Sequence, residues 1–306
     1  MNFARRAARV IRSPHLRRQL LCHPILFFRR VMNERIERRT GGWSEVADIL
    51  LSSSVLIPNI SSDSSSVNPT TQRAKAAFDD SGSDKATRHN YHLAYGPILE
   101  SVATSFGPVD ILEIGIGTTD PTHPSSMGLT GVPGASLRAW SYLREVRSVV
   151  GGDNSEVALA ACQELKVEYV DQRSIASIAA FLHKNHDTST FTIVIDDGLH
   201  APNANVNVLR AALSELNPAN SLIIIEDLDD SDYEPWALLL QLIPNIGSLF
   251  LKMNHRAKEQ HRKRRKNGQL EVHHRRNNML LVSSDEVIQD LRQKLTSELF
   301  ELRANS

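Results

Sequence analysis

The chain has 306 residues, enough for one large α/β domain with appendages. Its hydrophobic content of 41% and charged content of 23% are ordinary for a globular protein, so a core of usual size can be buried. Only two cysteines occur, Cys22 and Cys162, and they form no Cys-x-x-Cys pair. A disulfide framework and a structural zinc site are therefore disfavoured, and a reducing compartment fits.

The formal net charge of zero hides an uneven distribution of charge. Residues 1–39 contain eleven arginines and two glutamates, and residues 252–276 contain ten basic and two acidic residues. The remainder holds 14 basic and 31 acidic residues. The sequence therefore predicts an acidic body with two basic appendages.

The first 83 residues are predicted to lie outside the main domain. Residues 1–50 are interpreted as a basic helical arm, broken near Pro14 and Pro24. Such an arm suits an anionic membrane surface; a solvated helix, or one packed on a partner subunit, is the alternative. Residues 51–83 are rich in serine and are predicted to be a linker. We expect neither a membrane span nor a secretory signal, and so a cytoplasmic protein with peripheral membrane contact.

Residues 84–306 are predicted to form one α/β domain, because short β-branched runs alternate with helical stretches from about residue 108. The predicted strands are Val109–Ile114, Ser148–Gly152, Val167–Val170, Phe191–Ile195, Ser221–Ile225, Ser248–Lys252 and Asn278–Val282. The predicted helices are Ala135–Arg144, Glu156–Leu165, Ile175–His183, Ala204–Leu216, Trp236–Leu242 and Asp285–Leu302. This pattern indicates a Rossmann-like, doubly wound sheet with helices on both faces, and a basic hairpin inserted at about 253–276.

The first candidate motif is a strand that ends in an acid and a Gly-x-Gly turn, with Glu113, Gly115 and Gly117. Glycine allows a ligand to approach the backbone closely, and ligands of doubly wound sheets lie beyond the carboxyl ends of the strands. An acid before the first glycine is unusual for a nicotinamide site. It suits the positively charged methionine part of S-adenosylmethionine, although a plain structural turn is the alternative.

Two further acids end the next two strands. Asp153 could accept hydrogen bonds from both ribose hydroxyls of the cofactor, or it could cap the helix that starts near Ser155. Asp171 could accept from the adenine amino group, or it could cap the following helix.

Acidic pairs also follow two apolar strands, at Asp196-Asp197 and Glu226-Asp227. Adjacent carboxylates repel unless a cation lies between them, and their oxygens suit Mg²⁺. The two pairs are one strand–helix–strand unit apart, so they should face one crevice. His200 follows Asp197 by three residues and could act as a general base; a capped turn with an exposed histidine is the alternative.

Residues 84–282 resemble the Mg²⁺-dependent sugar O-methyltransferases of macrolide and related antibiotic biosynthesis, the mycinamicin and elloramycin type. The resembling segments are Asp84-Lys85 with His89 and Tyr91, LEIGIG at 112–117, PGASLRAW at 133–140, IDDGLH at 195–200, IIEDL at 224–228 and NNMLLV at 277–282. The resemblance implies a class I methyltransferase fold, S-adenosylmethionine as cofactor, a divalent metal and a sugar hydroxyl as acceptor.

The resemblance also implies roles for single residues. His200 would be the base, and Asp197, Glu226 and Asp227 the metal ligands. The cofactor would be bound by Glu113, Gly115, Gly117, Ser136, Asp153 and Asp171. The expected acceptor is a saccharide or a glycosylated small molecule, and a homo-oligomer is expected.

Three departures from the family pattern concern the second strand, the loop after the glycines and the basic run. The second strand ends in Gly-Gly-Asp-Asn, which leaves Asp153 in place. The longer loop TTDPTHPSSMGLTGV and the basic run at 252–276 lie where the acceptor should bind, so they leave its identity open. An RNA methyltransferase that uses the basic hairpin is one alternative, disfavoured by the acidic body. A non-catalytic binding protein that keeps the fold is another.

Overall fold

The computed structural model describes residues 54–57, 68–123, 126–128, 130–229, 232–253, 265–266, 269–270 and 278–304. Its strands are β1 (Ser54–Ile57), β2 (Val109–Ile114), β3 (Val146–Asp153), β4 (Val167–Tyr169), β5 (Thr192–Asp196), β6 (Ser221–Leu228), β7 (Gly247–Met253), β8 (Arg265–Lys266), β9 (Gln269–Leu270) and β10 (Asn278–Ser283). Its helices are α1 (Pro69–Ser81), α2 (Asp84–Thr87), α3 (His92–Phe106), α4 (Ala135–Ser141), α5 (Glu156–Ala161), α6 (Ile175–Asn185), α7 (Pro202–Glu215), α8 (Tyr233–Gln241) and α9 (Asp285–Ala304).

Eight strands form one sheet in the order β1-β7-β10-β6-β5-β2-β3-β4. Strand β1 runs parallel to β7, and the neighbouring strands β6, β5, β2, β3 and β4 run parallel to one another. Strand β10 runs antiparallel to both of its neighbours, β6 and β7. The predicted sheet of parallel strands is thereby confirmed for β2 to β6, and the structure adds β10 as an antiparallel strand. Every run predicted as a strand forms one, with ends shifted by three residues at most.

Helices cover both faces of the sheet, because alternate residues of a strand point to opposite sides. Ile193 and Ile195 of β5 join one core cluster with Phe78 of α1 and Leu99 of α3. Val194, between them, is equally buried but lies outside that cluster, on the opposite face. The sheet is therefore doubly wound, as expected.

Helix α1 falls within the range interpreted as a linker. Its N-cap is Asn68, whose side chain accepts a hydrogen bond from the Thr71 amide at 2.7 Å. Its C-cap is Gly82, which has a left-handed conformation. Ala74 and Phe78 of α1 are fully buried. The compact unit spans Ser53–Ser306, so the folded region begins before residue 84.

The predicted basic arm at residues 1–50 lies outside the described residues, as does most of the basic insertion at 253–276. Within that insertion, β8 and β9 pair antiparallel. Among the described helices, none combines the length and the apolar character that crossing a membrane requires.

The order of the strands fixes where a ligand can bind. From β2 the chain runs to β3 and β4 on one side, and then returns to β5 and β6 on the other. In doubly wound sheets, the crevice at such a reversal lies beyond the carboxyl ends of the two strands that flank it. Here those strands are β2 and β5.

Candidate functional site

An open crevice of about 980 Å³, its mouth included, lies at this reversal. Eight of the ten predicted site residues line it: Gly115, Gly117, Ser136, Asp153, Asp197, His200, Glu226 and Asp227. The other two, Glu113 and Asp171, are not among its lining residues.

Gly115 and Gly117 make the turn that follows β2, and both have a left-handed backbone, with φ of 94° and 79°. A Cβ atom on Gly115 would lie 2.3 Å from the carbonyl oxygen of Asp197. The space that glycine leaves here is therefore filled by the turn after β5, where a ligand had been expected. The close approach of the two turns brings the glycine motif beside the acidic residues.

Asp153 connects the glycine turn to the end of β3. Its Oδ2 accepts a hydrogen bond from the Ile116 amide at 3.0 Å, and its Oδ1 accepts one from the Ser155 amide at 2.8 Å. The N-cap of α5 is Ser155, whose hydroxyl accepts from the Ala158 amide. Asp153 thus lies in the crevice and is not the capping residue.

Asp171 faces its own turn. Its Oδ1 accepts from the Arg173 amide at 2.9 Å, and the N-cap of α6 is Ser174. The neighbouring Gln172 lines the crevice instead, donating to Asp196 Oδ1 at 2.5 Å and accepting from the Leu199 amide at 2.7 Å. The structure thus places Gln172 where Asp171 had been expected.

Asp196 lies beneath the turn after β5 and is completely buried. Burial raises the pKa of this carboxyl group to about 6, against the hydrogen bond that Asn205 donates at 2.8 Å. Together with Gln172, Asp196 supports the turn that carries Asp197 and His200.

Lys85 of α2 is the cation at the centre of the site, and its side chain is 3% exposed. Its ammonium group lies 2.7 Å from Asp197 Oδ2 and 3.5 Å from Glu113 Oε1, and it donates a hydrogen bond to Glu226. Burial lowers the pKa of Lys85, but these three carboxylates outweigh it and hold the pKa well above its ordinary value. One lysine thus joins the ends of β2, β5 and β6.

The two buried glutamates accept hydrogen bonds from neighbouring side chains. Glu113 is completely buried and accepts from the Trp140 indole at 2.8 Å, and burial raises its pKa despite Lys85. Glu226 accepts from Lys85 with one oxygen and from the Tyr95 hydroxyl with the other. Burial raises the pKa of Glu226 well above its ordinary value.

Asp197, His200 and Asp227 meet at the open side of this buried cluster. One ligand atom of each can be chosen so that all lie within 4.8 Å of one another. His200 Nε2 lies 3.7 Å from Asp227 Oδ2 and 4.0 Å from Asp197 Oδ1. His200 and Asp227 have φ of 48° and 57°, a conformation that is uncommon for non-glycine residues. Two carboxylates and an imidazole at this spacing can hold a divalent cation or remove a proton.

A second histidine lies on the other side of Asp227. His89 Nδ1 is 3.6 Å from Asp227 Oδ1, and its Nε2 is 3.4 Å from Asp84 Oδ2. The His89 ring stacks on Tyr91, with the two ring centroids 5.1 Å apart. Asp227 is thus approached by an imidazole at each of its oxygens.

Sequence reasoning gave no role to Lys85, Tyr91, Tyr95 or Gln172. Lys85 and Tyr91 belonged to the segments that carry the family resemblance, which was their only signal. Tyr95 and Gln172 had none, because their partners lie far away along the chain: the bond from Tyr95 to Glu226 joins residues 131 positions apart.

No family model matches this chain, and no curated protein does. Solved structures similar to it include MycE methyltransferase from the mycinamycin biosynthetic pathway in complex with Mg, SAH and mycinamycin VI, at 20% identity and a TM-score of 0.40. That match covers 54% of this chain and 39% of the MycE chain, so this chain spans less than half of its length.

Two bacterial structures also match. N-methyltransferase NodS from Bradyrhizobium japonicum WM9, in complex with S-adenosyl-L-homocysteine, is 11% identical, with a TM-score of 0.35 and coverage of 71% of this chain and 98% of that one. A SAM-dependent methyltransferase from Anabaena variabilis is 10% identical, with a TM-score of 0.36 and coverage of 75% and 100%.

The fold assignment rests on the sheet itself. The order in which the parallel strands are connected reverses between β2 and β5. The last strand, β10, is inserted antiparallel between β6 and β7. This chain therefore has the Rossmann-like fold of the class I, S-adenosylmethionine-dependent methyltransferases.

Proposed function

We propose that this protein is an S-adenosylmethionine-dependent O-methyltransferase that uses a divalent metal and acts on a sugar hydroxyl of a saccharide, a glycolipid or a glycosylated natural product. The observation that carries the proposal is the convergence of Asp197, His200 and Asp227 within 4.8 Å. They lie in the same crevice as the Gly115–Gly117 turn and Asp153.

The residues of the crevice fit a cationic cofactor. Three carboxylates, those of Glu113, Asp197 and Glu226, surround the ammonium group of Lys85. A fourth carboxylate, that of Asp227, accepts a hydrogen bond from the adjacent Tyr91. This excess of negative charge favours both a sulfonium and a divalent cation. Asp153 would accept from the ribose hydroxyls of the nucleoside, and the glycine turn lines the crevice beside it.

The donor set also fits the metal. Asp197 and Asp227 each offer an oxygen on the open side, and carboxylate oxygens are ligands that Mg²⁺ prefers. Glu226, the third expected ligand, could reach the metal only through an oxygen that already accepts a hydrogen bond. When bound, the metal would lower the pKa of the acceptor hydroxyl.

The protein's own residues supply the rest of the chemistry. His200 removes the proton of the acceptor hydroxyl. When bound, S-adenosylmethionine would supply the methyl group, which the deprotonated hydroxyl would take up as S-adenosylhomocysteine is released. Asp153 and the backbone of the glycine turn would position the cofactor for this transfer.

The basic regions fit an acidic or membrane-bound acceptor. The eleven arginines in residues 1–39 and the ten basic residues in 252–276 would attract an anionic lipid-linked or phosphorylated saccharide. In this arrangement residues 1–50 act as the membrane-contacting arm of a cytoplasmic enzyme, and the catalytic unit follows. A homo-oligomer is proposed with it.

The proposal is tested first by ligand-dependent stability. S-adenosylhomocysteine and Mg²⁺ should each raise the melting temperature, because a ligand that binds the native state alone stabilises it. Labelled cofactor is then incubated with glycans, lipid-linked saccharides and RNA, each with and without EDTA. Label in a saccharide that EDTA abolishes supports the proposal. Label in RNA, or in no acceptor despite cofactor binding, contradicts it.

Two substitutions separate the metal from the base. Asp197→Asn should keep the fold and cofactor affinity but abolish the response to Mg²⁺, because it removes a metal ligand. His200→Ala should keep cofactor and metal binding yet slow methyl transfer by roughly 10²–10⁴-fold, the usual worth of a positioned base. Weaker binding of Mn²⁺ by His200→Ala would instead make this residue a metal ligand. A full rate at neutral pH would place the base elsewhere.

A further inference from the structure

The two acids at the mouth of the site share a pattern that nothing in their local sequence suggests. Each directs one carboxylate oxygen to the N-terminal part of the fold and the other toward His200. Asp197 accepts from Lys85 at Oδ2, and its Oδ1 lies 4.0 Å from His200 Nε2. Asp227 accepts from Tyr91 at Oδ1, and its Oδ2 lies 3.7 Å from the same nitrogen.

Tyr91 contacts Asp227 twice. Its hydroxyl donates to Asp227 Oδ1 at 2.6 Å and accepts from the Asp227 backbone amide at 3.2 Å. A single hydroxyl thereby fixes both the side chain of Asp227 and its left-handed backbone. Tyr91 is 1% exposed and lies directly before α3, so its position is set by packing.

Asp227 could not keep this orientation from its own chain alone. An aspartate keeps a left-handed backbone at the end of a strand only where its surroundings hold it. Without such contacts, the Asp227 side chain would rotate and carry its exposed oxygen with it. Tyr91 removes this freedom by occupying the inner oxygen. The outer oxygen then points toward the place where Asp197 Oδ1 and His200 also point.

We propose that Tyr91 is a positioning residue for the divalent metal: it aims Asp227 Oδ2 at the cation, as Lys85 aims Asp197 Oδ1. This inference rests on the proposed function, since it assumes a metal at Asp197 and Asp227. It predicts that loss of one buried hydroxyl weakens metal binding without changing the charge or the ligands of the site. Outer partners of metal ligands commonly contribute 10–100-fold to metal affinity.

The test is direct binding of Mn²⁺ to the purified full-length protein, followed by electron paramagnetic resonance, which needs no acceptor. Tyr91→Phe should raise the dissociation constant for Mn²⁺ by roughly 10–100-fold. Its affinity for S-adenosylhomocysteine should stay unchanged. Tyr233→Phe is the matched control, because that buried hydroxyl has no hydrogen-bond partner among the described residues. It should bind Mn²⁺ as the wild type does.

Asp197→Asn distinguishes failure of this inference from failure of the proposed function. If Asp197→Asn loses Mn²⁺ binding while Tyr91→Phe keeps wild-type affinity, the positioning role is wrong and the metal site stands. If Asp197→Asn also binds Mn²⁺ normally, both are wrong. Should Tyr91→Phe fail to fold, Tyr91→Met replaces it, with the same expected loss and the same contradicting outcome.

Discussion

Gly115 shows how much a single residue can control in this site. A Cβ atom there would overlap the Asp197 carbonyl and the Gly198 backbone, and backbone atoms cannot rotate away as a side chain can. Gly115→Ala should therefore displace the turn that carries Asp197. We expect the affinity for Mn²⁺ to fall by on the order of tenfold, in addition to a loss of stability of about 1–3 kcal/mol. Titration with Mn²⁺ and denaturant unfolding measure the two effects.

Gly107 provides the control for backbone strain alone. It also has a positive φ, of 82°, but no atom of the described residues lies within 4 Å of the position of its Cβ. Gly107→Ala should cost about 1–3 kcal/mol of stability and leave Mn²⁺ binding intact. Equal Mn²⁺ affinity in both variants would show that the turn tolerates displacement.

The carboxylates of the site could be predicted from the sequence, but the groups that hold them could not. Asp197 and Asp227 each follow an apolar run at a strand end, so local pattern and topology were sufficient to bring them together. Lys85 reaches Asp197 from 112 residues away and lies in a short polar segment with no periodicity. Only the tertiary fold brings such a lysine into the interior.

At the scale of elements, the N-terminal helices are part of the core that holds the candidate site. Phe78 of α1 packs edge-to-face on Trp140, with centroids 4.7 Å apart, and Trp140 donates to Glu113. Tyr95 of α3 packs on the same indole at 4.7 Å and donates to Glu226. An aromatic cluster therefore couples α1 and α3 to the buried acids.

Phe78→Ala should reveal this coupling. Removing a fully buried phenylalanine leaves a cavity and should lower the free energy of unfolding by roughly 3–5 kcal/mol. Tyr142→Ala, at a residue that is 75% exposed, should change it by less than about 0.5 kcal/mol. Urea unfolding of both variants is the measurement. Similar values for the two would mean that α1 is a dispensable appendage, as a linker would be.

The sequence predicted the elements after residue 108 better than those before it for a physical reason. Strands buried on both faces are runs of apolar β-branched residues, which stand out in any composition. Helix α1 reads PTTQRAKAAFDDS, and its buried residues are Thr70, Thr71, Ala74, Ala77 and Phe78. Small and polar residues follow a serine-rich stretch there, so the pattern resembled that of a linker.

At the scale of the whole molecule, stability should depend on pH through His92. Burial is the main cause that lowers the pKa of His92 to about 4, with Lys75 adding to it and Asp79 opposing it. A histidine whose pKa is depressed by folding contributes stability above pH 6.5, and that stability is lost as the pH falls toward 4. The loss amounts to about 3 kcal/mol.

His92→Gln isolates this effect, because glutamine does not titrate. The difference in unfolding free energy between wild type and His92→Gln should shift by about 3 kcal/mol in favour of the variant between pH 7 and pH 4. The two proteins must be compared with each other because ionisation of Asp196 changes the stability of both with pH, in the direction opposite to His92. Its raised pKa gives stability below pH 3.8 that is lost as the pH rises through 6. A difference that does not change with pH would contradict the prediction.

The central lysine also has a consequence for how the protein folds during synthesis. Lys85 leaves the ribosome 112 residues before Asp197 and 141 residues before Glu226, and Tyr91 leaves 136 residues before Asp227. At about 5–20 residues per second, these intervals last roughly 6–28 seconds. Contacts of such sequence separation close large loops and form slowly. Until β6 has emerged, Lys85 lacks Glu226, one of its three carboxylate partners, so we expect α1–α3 to reach their final packing only when the sheet is nearly complete.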